Sequence, residues 1–380
     1  LLSKDKLSKY IMFVFVLSTP LLINADTLAH LPITLKVGFK SQNVMTTSGN
    51  KVETCDSWGS FDDSNQECWE EHYPAGLWNY SYGIRNIYIE TNKNEIQEYA
   101  YRFDVSKNND ERVIAYLVKR TDNHICYDYD GIANYCYDLY LQADGVIYPN
   151  EDMSYYFANM SLNSLVNLDG LDTSNVTNMS CLFCNSTIDE MPVLDLTSFN
   201  TSSVTDMSDM FMYTLNFSSL KIDMSSWDVT NVLNMSRMFF RFSYSDNSDS
   251  LELDLSNFNT KSVTDMSGMF YGTGYASKVF TLDVSSFDTS NVTTMGSMFA
   301  GTGYSNPDFT LDVSNFDTSN VSYMDAMFSE TGYSNPNFTL DLNNFDTSNV
   351  KNMSNMFSRT GYNSSNFTLD LSNFDTSNVT

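Results

Sequence analysis

Phe309-Thr-Leu-Asp-Val-Ser-Asn-Phe-Asp-Thr-Ser-Asn-Val-Ser-Tyr-Met-Asp-Ala-Met-Phe328 carries two periodicities back to back. Phe309, Leu311 and Val313 alternate with Thr310, Asp312 and Ser314, the period of two of a half-buried strand. Val321, Met324, Met327 and Phe328 then fall at i, i+3, i+6 and i+7, which predicts one apolar face of a short helix. Asp317 stands just ahead of that face, where a side-chain oxygen would cap free backbone N–H groups. Asn200 and Asn259 fill the same slot in other copies, so the slot asks for a hydrogen-bond acceptor rather than a charge. Gly303-Tyr-Ser-Asn-Pro307 reads as the return loop.

Copies of this stretch run from about residue 146 to the last residue. Their anchoring valines, Val176, Val204, Val232, Val263, Val292, Val321, Val350 and Val379, are spaced 28, 28, 31, 29, 29, 29 and 29 residues apart. So regular a period predicts a stacked-repeat architecture. One copy cannot outweigh its own ordering entropy; only stacking seals each apolar layer against the next. The expected fold is an α/β repeat: a right-handed, leucine-rich-repeat-like solenoid with one parallel sheet, preceded by a small α+β N-terminal cap domain. The recurrence of Met and Phe at the same slots marks them as core, not as a cofactor groove.

The phrase Leu-Asp-Leu-Ser-Asn-Phe-Asp-Thr-Ser-Asn-Val-Thr with Met-Ser-x-Met-Phe, in Leu253–Phe270, Leu282–Phe299 and Leu340–Phe357, resembles the BspA-like leucine-rich-repeat surface proteins. That repeat is also known as a domain of unknown function abundant in mycoplasmas, gut bacteria and some protists. Phe103-Asp-Val-Ser, Val113-Ile-Ala-Tyr-Leu, Tyr137–Tyr148 and Met153-Ser-Tyr-Tyr-Phe157 are similar to the segment preceding the repeats in that family. The resemblance covers roughly residues 84–380. It implies a secreted or surface location and adhesion to host or neighbouring-cell proteins. The chain departs from the family in its longer Thr-Gly-Tyr-Ser-Asn-Pro return loop.

Upstream, Lys4, Lys6 and Lys9 precede an apolar run from Tyr10 to Ile23, with Ala25 before a cleavage point. This is the pattern of a secretory signal peptide over 1–25, and the run is too short to span a bilayer. Residues 26–145 do not repeat and are read as the cap region, 146–380 as the solenoid, truncated at its C-terminus. Ile84–Ile89, Val113–Val118 and Tyr137–Leu141 read as strands and Lys93–Tyr101 as a short helix. Trp58, Trp69 and Trp78 are read as packing residues before a glycan platform. Export permits disulfides, and the six cysteines fall into near-neighbour pairs: Cys55 with Cys68, Cys126 with Cys136, Cys181 with Cys184. Asp128-Tyr-Asp-Gly131 fails the calcium-loop pattern, since Cys126 and Tyr137 would occupy its end positions; a disulfide-closed hairpin fits better.

The chain has 20 Lys+Arg against 47 Asp+Glu, a formal net charge of −27. Such a surface does not bind nucleic acid through charge. No nucleophile elbow, zinc-binding helix or phosphate loop is present, so the chain is read as a non-enzyme without a small-molecule substrate, metal or cofactor. An enzyme confined to 26–145 is the remote alternative. The informative surface is the outer face of the predicted sheet, where Asp195, Asp223, Asp254, Asp283, Asp312, Asp341 and Asp370 share one strand position. In register they would form an acidic rail, each neighbouring pair repelling by ~0.8 kcal/mol in water. The rail suits a cation-bearing partner, so the expected function is adhesin-like binding of extracellular or host surface proteins. The alternatives are a spacer stabilised by Ca²⁺ and a solvated acidic face that only keeps the repeats soluble. Membrane attachment would need an anchor outside this stretch.

Overall fold

The computed structural model describes residues 78–380 apart from residues 95, 97–98, 106–111, 123–124, 128–132, 189, 217–218 and 245–249, together with the strand Ile33–Thr34. The predicted signal peptide, Trp58, Trp69, Cys55, Cys68 and the Asp128–Gly131 stretch lie outside the described residues. Regular structure is almost all strand. Among the described residues the helices are two short 3-10 segments, Trp78–Gly83 and Leu168–Gly170, and no sheet closes into a barrel.

A five-stranded sheet opens the described chain, in the order Ser164–Val166, Ile84–Glu90, Tyr137–Ala143, Val113–Lys119, Tyr101–Asp104. Its first three strands are parallel and its last two pairings antiparallel. Ile84, Ile87, Ile89, Val113, Ala115, Leu117 and Leu139 are buried on it. Where a helix is predicted over Lys93–Tyr101, the described residues from 93 to 100 are irregular and Tyr101 opens a strand. The described part of this region is thus almost all strand. Ile125–Tyr127 pairs antiparallel with Ala133–Tyr135, and Cys126 is bonded to Cys136, the expected closed hairpin. Cys181 and Cys184 are bonded as well.

Downstream, Val193–Asp195, Leu220–Asp223, Ser250–Leu253 and Val279–Thr281 form a parallel sheet. Register is exact in units of one repeat: Asp195 faces Asp223, Ile222 faces Leu253, and Leu251 faces Phe280. A second line of parallel bridges runs through Asp152, Asn178, Asp206, Asn234, Asp265, Thr294, Tyr323 and Asn352.

The segment after each such bridge is not the short helix that the spacing of Val321, Met324, Met327 and Phe328 predicts. It is a ladder of turns. The N–H groups of Met235, Arg237, Phe239 and Arg241 donate to the carbonyls of Asp265, Ser267, Met269 and Tyr271 in the next layer, at 3.0, 2.8, 2.9 and 2.6 Å. The alternate N–H groups of Met238, Phe240 and Phe242 close four-residue turns on the carbonyls of Met235, Arg237 and Phe239. An α-helix would send every N–H to the residue four back; here half go to the neighbouring layer. The turns need a left-handed residue every fourth position, and non-glycine side chains accept it: φ is 54° at Arg237, 50° at Arg241, 52° at Ala326 and 58° at Glu330. The apolar positions are nonetheless those expected, since Val321, Met324, Met327 and Phe328 are all fully buried.

The slot read as a helix cap closes a loop instead. Asp317 Oδ1 accepts from the Ser319 N–H at 3.0 Å, Asn200 from Ser202 at 3.1 Å and Asn259 from Lys261 at 3.3 Å. These are Asx turns.

Two side-chain columns tie the layers together. Phe183, Phe211, Phe239, Phe270, Phe299, Phe328 and Phe357 stack with centroids 5.5–6.0 Å apart and planes within 7° of parallel. Buried threonines bridge adjacent layers: Thr318 Oγ1 donates to the Asp346 carbonyl at 2.9 Å and accepts from the Asp346 N–H at 2.8 Å. Thr201 and Thr347 repeat the pattern on Asp228 and Asp375. One apolar core runs unbroken from Ile84 to Met356.

Candidate interaction face

Strand alternation decides which side chains reach the outer face. Leu194, Ile222, Leu253, Leu282, Leu311 and Leu340 point into the core, so the residues one position on point out. Asp195, Asp254, Asp283, Asp312, Asp341 and Asp370 are exposed and Asp223 is half-buried. Strand pairing brings Asp195 beside Asp223, and the same register carried one residue further sets Asp254 beside Asp223 and, two residues further, Asp283 beside Asp254. The column continues beyond the hydrogen-bonded strands, because Phe280, Phe309 and Phe338, each three residues before its Asp, stack at 5.8 and 6.4 Å.

Each of these carboxylates has a local task. Its Oδ1 accepts from the N–H two residues on: Thr197, Ser225, Ser256, Ser285, Ser314, Asn343 and Ser372, all at 2.9–3.1 Å. The hydroxyls of Thr197, Ser225 and Ser256 donate to the same oxygen at 2.6–2.7 Å. These bonds favour the charged form. The Ser285 hydroxyl and N–H hold Asp283 below the ordinary carboxylate range, although Asp312 and Asp254 push the other way. Asp223, Asp254, Asp312 and Asp370 are lowered by the equivalent serines, Ser225, Ser256, Ser314 and Ser372. These five are therefore ionised at neutral pH.

Cations on this face are few. Lys221 reaches Glu252 at 3.1 Å, an exposed pair of little energetic weight. From residue 281 to 380 the chain has eleven acidic residues against Lys351 and Arg359. In that part Asp288, Asp317, Asp346 and Asp375 fill the turn slot and make a second acidic column; Asp375 acts electrostatically on Asp346. Among the described residues no three His, Cys, Asp or Glu side chains converge as metal ligands would, so the carboxylates form a line rather than a cage. No described helix is long and apolar enough to cross a membrane.

The repeat geometry invites comparison with known families. Residues 151–272, 240–360 and 304–380 match the family described as "Mycoplasma protein of unknown function, DUF285". The chain belongs to this family. The matched segments together cover more than half of it, and the DUF285 repeats coincide with the stacked layers. No curated protein and no solved structure matches the chain.

The sequence reading missed a further column within these DUF285 repeats. Tyr244, Tyr275, Tyr304, Tyr333 and Tyr362 stack along the return loops with centroids 4.3–4.9 Å apart. Their spacing of 31, 29, 29 and 29 residues repeats that of the valines, so the signal was present in the period. The buried threonines were equally visible as a recurrent slot.

Proposed function

We propose that the stacked repeats form a right-handed, leucine-rich-repeat-like solenoid of a secreted or surface-displayed protein. Its outer acidic face binds a basic surface of an extracellular or host protein, in the manner of an adhesin. The observation supporting this is a surplus of charge. Asn200 and Asn259 close the same Asx turn that the column aspartates close, so a neutral side chain suffices for the backbone. All seven strand positions from Asp195 to Asp370 nevertheless carry a carboxylate. Each places repulsion along the column without structural need, which a cationic partner would relieve.

The same comparison supplies the test. Asn in place of Asp283, Asp312 and Asp341 keeps the Oδ1 acceptor and removes three charges. Binding to immobilised matrix and cell-surface proteins should fall and lose its salt dependence, with the melting temperature held or slightly lowered, because the serine bonds to Asp283 and Asp312 outweigh the repulsion by a small margin. Unchanged binding would assign the face to the second reading, a spacer whose charge only keeps the layers soluble; the local bonding of every column aspartate favours that reading.

A further inference from the structure

We propose that the tyrosine column is a site of oxidative cross-linking, where a one-electron oxidant converts neighbouring tyrosines into dityrosine and staples one layer covalently to the next. Three observations carry this. First, the rings are in contact and nearly parallel: Tyr275–Tyr304 and Tyr304–Tyr333 lie 4.3 Å apart at 10° and 12°, Tyr333–Tyr362 4.9 Å apart at 6°. The hydroxyls of Tyr275 and Tyr333 are also close enough to that of Tyr304 to hydrogen-bond, so the phenol ends of neighbouring rings, which carry the ortho carbons, lie side by side. Second, the column stands at the surface. Tyr244, Tyr275, Tyr304 and Tyr333 are half-buried and Tyr362 is exposed. Third, the competing reductants are mostly shielded. Met235, Met238, Met266 and Met269 are fully buried, and among the described methionines of the repeats only Met191, Met212 and Met353 are half-buried; Trp227 is nearly fully buried, and the described cysteines are disulfide-bonded. An oxidant arriving from solvent meets this column before it meets the core.

The oxidant is hydrogen peroxide acting through a haem peroxidase. Each phenol gives up one electron and its hydroxyl proton, leaving a radical shared between oxygen and the ortho carbons. Two adjacent radicals couple, forming one ortho-to-ortho carbon–carbon bond. Each ring then moves its displaced ortho hydrogen to oxygen and regains aromaticity. Peroxide takes up the two electrons and two protons and leaves as two waters. Burial and the neighbouring tyrosines keep Tyr275 protonated, so the proton leaves with the electron. Coupling requires one ring of the pair to tilt, which a half-exposed loop side chain can do.

The full chain treated with haem peroxidase and hydrogen peroxide should gain dityrosine fluorescence while keeping the single-chain mass on a denaturing gel. Peptide mapping should place the loss of two hydrogens between peptides containing Tyr244, Tyr275, Tyr304, Tyr333 or Tyr362. Tyr304→Phe keeps a stacking ring but removes two of the four adjacent pairs, so intramolecular yield should fall about twofold relative to wild type. Tyr88 and Tyr140, stacked 4.6 Å apart in the five-stranded sheet, are the internal comparison. Cross-links mapping mainly to that pair, only intermolecular products, or an unchanged yield in Tyr304→Phe would overturn the proposal. So would methionine sulfoxide forming ahead of dityrosine.

Discussion

Thr318→Val tests how the layers are held. Valine is nearly the shape of threonine but lacks the hydroxyl, and Thr318 is fully buried. The substitution removes the 2.9 Å bond to the Asp346 carbonyl and the 2.8 Å bond from the Asp346 N–H. Two lost bonds at ~1 kcal/mol each, with a partly buried N–H and C=O left unpaired, cost about 2–4 kcal/mol. The chain contains the converse case. Val229 occupies the threonine slot of its own layer and is buried, so Asn259 of the next layer receives no such pair. Val229→Thr should therefore stabilise by about 1–2 kcal/mol. Urea denaturation reads both, and amide hydrogen exchange at Asp346 localises the first, because a stacked-repeat protein can open between layers. A loss under 0.5 kcal/mol in Thr318→Val, or unchanged protection at Asp346, would show that these bonds merely accompany the packing.

Two more outcomes follow from the geometry. Gly332 sits at φ 59° and an added Cβ would lie 2.3 Å from the Phe338 ring, so Gly332→Ala should destabilise by ~2 kcal/mol or more; an unchanged urea midpoint would refute the packing described for the return loop. Asp223, Asp254, Asp283, Asp312 and Asp370 have folded pKa values below their unfolded ones. Their stabilisation is thus complete above about pH 4 and is lost as pH falls through the lowered folded values. The effect is small at such exposed groups. The urea midpoint should fall below pH 4, and less steeply when Asp283 and Asp312 are Asn.

A good deal of this was legible from residues alone. Period, strand phase and burial are properties of local chemistry: Phe309, Leu311 and Val313 are buried and Thr310, Asp312 and Ser314 exposed, as their alternation says. The hairpin cysteines and Cys181 with Cys184 pair locally, because near neighbours in sequence are near in space. The outward column of aspartates follows from the same alternation. What sequence could not decide was where the backbone of the Met-rich segment sends its hydrogen bonds. Apolar residues three and four apart show which side of a segment faces the core; they say nothing of whether an N–H finds a carbonyl four residues back or one layer away. Stacking in register supplies that second acceptor. It also lets Arg237, Ala326 and Glu330 hold left-handed angles that glycine would have announced and they do not. The tyrosine column depends on the same condition: contact between Tyr304 and Tyr333 exists only because identical loops are laid one upon another.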